Sequence, residues 1–407
     1  MKCRHCEQPL EHLFLDLGYA PPSNAYLTAA DLARPEKHYP LRVRVCAHCW
    51  LVQTEDYAQA DELFSAEYAY FSSTSSTWLR HAADYAKDMT ARLGLGRDSF
   101  VLEVASNDGY LLRNFVDAGV PCLGIEPTES TAAAAEAMGV PALREFFGEA
   151  LGRRLARDGR QADLIVGNNV YAHVPDINDF TRGLKAALKP DGVITLEFPH
   201  VLELLANCQF DTVYHEHFSY LSLTAVSTIF QSIGLRVWNV EKISTHGGSL
   251  RVFGCHLNSK HLTRDSVTST IKEEEKKGLR DIATYLSFQI KVDGVKNNLL
   301  DYLIIQKKKG RKVVAYGAAA KGNTILNYAG VRPDLLSYVF DAAKAKQGRY
   351  MPGSHIRILD PKEILAIKPD RILILPWNIS DEIVAQLEYV RSWGAKFVIA
   401  LPDLVEF

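Results

Sequence analysis

Between residues 99 and 199 the chain repeats one unit, a short apolar run followed by a stretch with helical spacing, and this repetition limits the possible folds more than any other feature. The runs at 100–104, 121–126, 162–167 and 192–199 read as strands, and 110–118, 130–138, 148–156 and 177–188 as the helices between them. Strands joined through helices run parallel, with helices covering both faces. The segment therefore predicts a Rossmann-like, doubly wound α/β sheet. After a helix at 223–233, ended by Gly234, two further strands at 236–240 and 249–255 flank the turn Thr245-His246-Gly247-Gly248. They are expected to complete the sheet as its antiparallel edge.

Residues 312–316 begin a second alternating unit, with later strands at 335–341, 371–375 and 396–400, which predicts a smaller doubly wound domain. Residues 265–309 read as connecting helices, and the charge run 272–277 as a solvated face. A chain of 407 residues suits two or three domains. The expected division is a zinc module at 1–65, a central domain at 66–258, and a helical connector with a C-terminal α/β domain at 259–407. No apolar run is long enough to span a bilayer, no apolar segment follows Met1-Lys2-Cys3-Arg4-His5, and the formal charge is −2. The expectation is a cytoplasmic protein, plausibly a monomer, without nucleic acid or membrane as partner.

Ligands of doubly wound sheets bind beyond the carboxyl ends of the strands. A dinucleotide needs G-x-G-x-x-G after the first strand, and this chain has Ala105-Ser106-Asn107-Asp108-Gly109 instead. That excludes the dinucleotide at this loop and suits S-adenosyl-L-methionine, which carries no phosphate and needs a single close-approach glycine, Gly109. Glu126, ending the next strand, is placed to bind ribose hydroxyls. Asn168-Asn169-Val170-Tyr171-Ala172-His173 follows the third strand, although His173 taken alone reads as a structural histidine. In the second unit the loop Gly317-Ala318-Ala319-Ala320-Lys321-Gly322-Asn323-Thr324 joins strand to helix, where backbone amides suit a diphosphate. Tight packing is the structural alternative, and NAD a weaker ligand because the fingerprint breaks at Ala319. Asp341, Lys346, Gln347 and Tyr350 follow the next strand, within reach of a sugar or base.

Cys3-x-x-Cys6 and Cys46-x-x-Cys49 form two knuckles, each able to grip one side of a tetrahedral ion, and four sulfurs leave no open coordination position. The pattern predicts one structural zinc. His5, His12 and His48 lie nearby but read as surface residues, and the total of seven cysteines, an odd number, argues against a disulfide framework. The turn-rich stretch 16–26 between the knuckles could line a neighbouring site. An aromatic run, 63–71, containing Tyr68 and Tyr70, breaks into serines and threonines and feeds a helix at 77–93. Past the fourth strand stands Tyr214-His215-Glu216-His217. Extended backbone would split these side chains between two faces, so a turn is required to gather them.

With these motifs in place the chain resembles the S-adenosylmethionine-dependent C-methyltransferases of nucleotide-linked deoxysugars, the family that makes 3-C-methyl branches. The resemblance spans nearly the whole length and rests on the cysteine knuckles, Leu102 to Leu112, Gly124-Ile125-Glu126-Pro127, Asn168 to Val174, Tyr214 to Phe218, His246-Gly247-Gly248-Ser249-Leu250-Arg251, and Tyr316 to Gly322. Most relatives have glycine where Ala105 stands. The resemblance implies methyl transfer to the carbon next to the ketone of a 4-keto-6-deoxyhexose, dTDP-linked, with cofactor contacts from Glu103, Asn107, Gly109, Tyr110, Glu126, Asn168 and Asn169. It implies substrate contacts from Tyr316, Gly317, Ala318, Lys321, Asn323, Asp341 and Tyr350. His217 is then the base that forms an enolate, Glu216 orients it or holds a sugar hydroxyl, and Tyr214, Tyr68 and His173 are the candidate donors to the enolate oxygen. Two other classes stay open: an NAD-dependent sugar-nucleotide oxidoreductase and a non-enzymatic zinc adaptor. A metal-dependent hydrolase built on His215, Glu216 and His217 ranks last, because the helical i, i+4 histidine pair is missing.

Overall fold

In the computed structural model, which describes residues 1–57 and 72–407, the alternation resolves into three sheets. Tyr68, Tyr70 and the boundary expected near residue 65 lie outside the described residues. The central sheet has seven strands in the order Leu235–Ile243, Ser249–His256, Leu188–Pro199, Ala162–Asn168, Val101–Val104, Cys122–Ile125, Ala142–Leu143. The chain starts at Val101–Val104, winds outward to Ala142–Leu143, then returns to the other side. Its order therefore reverses beside the loop that begins at Ala105, where such sheets bind ligands. Val101 pairs in parallel with both Cys122 and Leu164, so this strand is central and reads Val-Leu-Glu-Val without alternation.

The hairpin completes the sheet as its antiparallel edge, as expected. Its second arm, Ser249–His256, enters the sheet antiparallel to Leu188–Pro199, and its first arm, Leu235–Ile243, becomes the outer strand. Burial explains the order: Leu250, Val252, Phe253 and Cys255 are all buried, which demands neighbours on both sides, whereas Lys242 on the first arm is exposed.

A four-stranded antiparallel sheet is built from His12–Ala20, Tyr39–Val45, Val52–Thr54 and, from far along the chain, Ser219–Tyr220. The segment just after the Tyr214–His217 tetrad is thus an edge strand of the cysteine module. The third sheet orders Arg357–Leu359, Tyr338–Phe340, Val313–Tyr316, Arg371–Ile374 and Lys396–Ile399 in parallel, with Val405–Glu406 antiparallel at one edge. Helices Asp265–Lys276, Ile282–Leu286 and Phe288–Lys308 connect it to the central sheet. Phe288 stacks on Phe14 of the first sheet with ring centroids 5.0 Å apart.

The charge run 272–277 is not wholly a solvated face. Glu274 is fully buried and accepts hydrogen bonds from Leu223 N (2.7 Å), Thr224 N (2.9 Å) and the Thr224 hydroxyl (2.6 Å), and it pairs with His200 Nε2 at 2.7 Å. It satisfies the open amides at the start of helix Leu223–Ile233, where a carboxylate also suits the helix dipole. Burial opposes its charge, but the bonds from His200 and Thr224 hold its carboxyl below the ordinary range.

Candidate active site

The cofactor loop takes the conformation its glycine-like positions demand. Ala105 (φ 57°), Asn107 (φ 51°) and Gly109 (φ 77°) are all left-handed, which for the alanine costs roughly 1 kcal/mol. A Cβ on Gly109 would sit 3.0 Å from the Val140 side chain, so only glycine lets the loop close against the neighbouring layer. Glu126 accepts from Asn107 N and Thr128 N, both at 2.9 Å, and so fixes the loop to the end of the second strand. Asn107 Oδ1 in turn accepts from Ser72 N (2.9 Å) and Asp108 Oδ2 from Ser73 N (3.1 Å), which ties on the segment leading into helix Ser76–Leu93. Asn169 is also left-handed, and its amide donates to Glu197 O at 2.7 Å. Tyr110 is buried beside Trp78, with ring centroids 6.1 Å apart.

Several buried polar atoms along this edge have no hydrogen-bond partner among the described residues: Glu103 Oε2, Ser106 Oγ, Asp108 Oδ1 and both amide atoms of Asn168. Buried polar atoms are normally paired, so such a group marks a ligand's place. Burial, with the charges of Glu126 and Asp108, pushes the Glu103 carboxyl well above the usual range, which favours its protonated form. Donors and acceptors without phosphate-sized glycine gaps fit S-adenosylmethionine.

The tetrad is the tight turn that its spacing required, closed by His217 N donating to Tyr214 O at 3.0 Å. The turn divides the four side chains. His217 lies against Tyr214 (centroids 4.0 Å), His173 (4.6 Å) and Tyr220 (6.0 Å). Its Nδ1 is 2.8 Å from the Thr212 carbonyl oxygen. A carbonyl only accepts, so Nδ1 carries the proton and Nε2 presents a lone pair. Burial, with the neighbouring His173, holds the His217 imidazole well below its usual pKa, and burial holds His173 down to about 4. Glu216 is buried and receives both oxygens' contacts from Asn24 Nδ2, at 2.7 and 2.9 Å. His215 turns away, donating from Nε2 to the Pro40 carbonyl at 3.2 Å and packing on Tyr39, and so serves the module interface.

Lys321 lies within electrostatic reach of the imidazoles. Its ammonium lies 4.5 Å above the Trp377 ring and donates to Asn378 Oδ1 at 2.7 Å. Trp377 Nε1 donates to Asp211 Oδ2 at 2.7 Å, and burial pushes the Asp211 carboxyl up to about 6. Burial also lowers Lys321, whose charge bears on both His217 and His246. The other residues expected around the second loop frame it. Gly317 (φ 90°) backs onto Pro376, where a Cβ would meet the ring at 2.4 Å. Ala318 N donates to Asp341 Oδ2 at 2.7 Å, while Ala318 O accepts from Tyr26 Oη (2.5 Å) and Lys346 Nζ (2.8 Å). Asn323 is buried with its amide donating to Ser23 O at 2.5 Å, Tyr350 exchanges backbone hydrogen bonds with Leu27, and Tyr316 is a buried phenol pushed up to about 12 by burial. Asn323 and Tyr350 therefore join the C-terminal unit to the first module. The amides of Ala320, Lys321 and Gly322, opening helix Ala320–Tyr328, are those without intrahelical acceptors.

The four cysteine sulfurs lie within 4.8 Å of one another, with Cys3–Cys49 and Cys6–Cys46 Sγ pairs at 3.5 Å. Bonds of about 2.3 Å to a tetrahedral zinc put sulfurs roughly 3.8 Å apart, so the set fits the ion. Both knuckles fold alike: the residue after the second cysteine, Glu7 or Trp50, is left-handed and its amide returns to the first cysteine's carbonyl at 3.0 Å. Gln53 Nε2 donates to Cys3 Sγ at 3.2 Å. His5 is engaged elsewhere, with Nδ1 2.7 Å from Asn178 Oδ1.

Sequence reading missed Asn24, Asp211, Trp377 and His246 as site residues. Asn24 lay in a segment noted only as a possible lining, and His246 in a turn read for its glycines. Asp211 and Trp377 carry no local signal, because only packing brings them together.

Three family models match in order: a zinc binding domain over residues 3–64, a methyltransferase domain over 78–240, and a C-methyltransferase C-terminal domain over 244–402. The C-methyltransferase NovU of Streptomyces niveus is 33% identical over 402 residues, covering 99% of this chain and 96% of its own length. An uncharacterized methyltransferase of Mycobacterium leprae is 32% identical over 98 residues, 24% of this chain and 36% of its own. Among solved structures, the magnesium protoporphyrin IX methyltransferase of Synechocystis with bound cofactor aligns to 44% of this chain and 81% of its own, at 14% identity and a TM-score of 0.33. With a relative matched end to end, the chain belongs to the C-methyltransferase family, uses S-adenosylmethionine and carries zinc in its cysteine module.

Proposed function

We propose that this C-methyltransferase acts on C3, next to the ketone, of a nucleotide-linked 4-keto-6-deoxyhexose, with His217 Nε2 removing the proton. The observation that carries this is the orientation of His217, whose Nδ1–H is committed to the Thr212 carbonyl while Nε2 is left as acceptor. A ketone acidifies the neighbouring C–H bond, and a neutral imidazole within reach takes that proton. Burial keeps the ring neutral at pH 7, and the negative charge of the enolate offsets the cost of the imidazolium that forms. Tyr214 and His173 stand beside His217 and, with Tyr68, supply donors to the enolate oxygen. Glu216, braced by Asn24, holds a sugar hydroxyl. When bound, S-adenosylmethionine supplies an electrophilic methyl group, which the enolate carbon accepts.

The helix start at Ala320–Gly322 and the Lys321 ammonium bind the diphosphate, and Tyr316, Gly317, Ala318, Asn323, Asp341 and Tyr350 build the walls of that subsite. A dTDP group is the favoured nucleotide. Residues 66–258 hold the cofactor, 259–407 the nucleotide, and 1–65 the zinc, which lies outside the reaction. The test incubates the protein with S-adenosylmethionine and a panel of 4-keto nucleotide sugars, following exchange of the proton beside the ketone and methyl gain by mass spectrometry. His217→Gln should abolish both signals. No methyl gain by the wild type on any member overturns the proposal, and exchange that survives in His217→Gln removes His217 as the base.

A further inference from the structure

We propose that His246 is a further catalytic residue: its Nε2 donates a hydrogen bond to the substrate's ketone oxygen as that oxygen becomes the enolate oxygen. This rests on the proton-abstraction reading above. His246 stands at the tip of the hairpin between Leu235–Ile243 and Ser249–His256, with φ 55° and ψ 22°. A side chain other than glycine is kept in that left-handed region only where surrounding contacts hold it, and such residues cluster at functional sites.

The contacts are present. Gly247 O accepts from Gln209 Nε2 at 2.8 Å, and a Cβ on Gly247 would lie 2.3 Å from the Trp377 ring. Gly248 fits as closely against Glu203, where a Cβ would meet the side chain at 2.6 Å. The two glycines thus press the hairpin onto the Lys321–Trp377–Asp211 group and fix where His246 points. Its Nε2 is buried and has no hydrogen-bond partner among the described residues. Neighbouring rings are better supplied: His217 Nδ1 bonds Thr212, and His81 Nε2 bonds Glu197 at 2.8 Å. Position adds the second half of the case. The ring is 5.3 Å from Trp78, which stacks on His81 and flanks Tyr110 on the cofactor side. Lys321 and His173, on the substrate side, bear on it electrostatically. His246 therefore touches Trp78 on the cofactor side and lies within electrostatic reach of His173, His217 and Lys321.

Donation, not proton removal, is the role left to it. His217 already presents the acceptor. When the C–H bond breaks, its electron pair forms the carbon–carbon double bond, the carbonyl π pair moves onto oxygen, and the proton passes to His217 Nε2. The new charge needs a preorganised donor. Burial holds His246 down to about 4, so at neutral pH it is a neutral imidazole with one N–H to offer.

The full-length zinc-loaded protein and the variants His246→Ala, His246→Gln and His246→Asn are incubated in deuterated water with S-adenosylhomocysteine and the panel of dTDP-linked 4-keto-6-deoxyhexoses. Deuterium gain beside the ketone is read by mass spectrometry, and cofactor affinity by calorimetry. His246→Ala is expected to slow exchange about 10²–10³-fold at unchanged cofactor affinity, with about tenfold or more regained in His246→Gln, whose amide N–H reaches the Nε2 position. His246→Asn reaches only the Nδ1 position and should not recover. Asparagine tolerates left-handed backbone, so the Gln–Asn comparison decides the matter even if the alanine variant unfolds. Unchanged exchange in His246→Ala, equal rates in the Gln and Asn variants, or a loss explained by weaker cofactor binding overturns the role. A wild type that exchanges while His246→Ala matches it leaves the proposed function standing; a wild type inert on the whole panel overturns both.

Discussion

Three imidazoles, His173, His217 and His246, gather at one site, and all three are kept neutral by burial. Their effect on stability has a definite sign. In the unfolded chain they titrate near 6.5, whereas His173 and His246 in the folded protein take up protons only near 4, and His217 also stays well below its usual range. Above pH 6.5 neither state gains protons; below it the unfolded state binds protons that the folded state refuses. The histidine contribution is therefore complete above pH 6.5 and lost as pH falls toward 4. Asp211 runs the other way, because its carboxyl is raised from 3.8 to about 6, so its contribution is present below 3.8 and lost as pH rises through 6. With His215, four lowered histidines stand against two raised carboxyls, Asp211 and Glu103, so unfolding takes up protons at pH 5 and the melting temperature falls from pH 7 to pH 5. Calorimetry in buffers of different ionisation enthalpy measures both. Which histidines share a pocket was only partly legible in the sequence: His173 and His217 follow strands whose ends could be predicted, but His246 was hidden because two glycines after a histidine read equally well as a plain hairpin turn.

At the scale of elements, the hairpin carrying His246 is the joint between the central sheet and the C-terminal unit. Gly247→Ala forces a methyl group into the Trp377 ring at a left-handed position, so turnover should fall about 100-fold while cofactor affinity is retained, since displacement of a reacting group by about 1 Å costs that much. Steady-state kinetics beside cofactor calorimetry would separate the two. Helix Asp265–Lys276 carries a different lesson. Val267, Thr270 and Glu274 share its buried face at helical spacing, but a carboxylate inside a charge run does not announce itself as buried. Its acceptors serve a helix start 50 and 51 residues away in sequence, so the pattern along its own helix could not reveal them. Removing the partner of a buried pair is strongly destabilising, and Glu274→Ala should cost about 3–5 kcal/mol, visible as a lower denaturant midpoint with the slope unchanged.

Over the whole molecule, the cysteine module packs against the segment that carries the Tyr214–His217 turn. Val52–Thr54 pairs with Ser219–Tyr220 immediately after the tetrad, and Asn24 braces Glu216. Arg4, between the first two cysteines, binds the carbonyls of Pro175 (2.8 Å) and Thr54 (3.1 Å) and lies over Phe218. Stripping the metal with a chelator, or Cys49→Ala, should therefore release the turn at Tyr214–His217: turnover drops at least about tenfold, whereas the central sheet still binds S-adenosylmethionine. Zinc content by mass spectrometry, cofactor calorimetry and rates on the same samples check this, and full turnover in zinc-free protein would refute it.

The amino-acid sequence alone determined what depends on near neighbours. Strand and helix alternation set the two doubly wound sheets, the knuckle spacing set the zinc ligands, and the glycine-poor loop at Ala105–Gly109 excluded a dinucleotide, because periodicity, ligand bite and backbone freedom are all local properties. Tertiary structure decided what depends on distance. It placed Ser249–His256 inside the sheet, put Glu274 under a remote helix, gave Glu216 to Asn24, and brought Lys321 within electrostatic reach of the imidazoles. Each of these is settled by which surfaces exclude water together, and no run of adjacent residues encodes that by itself.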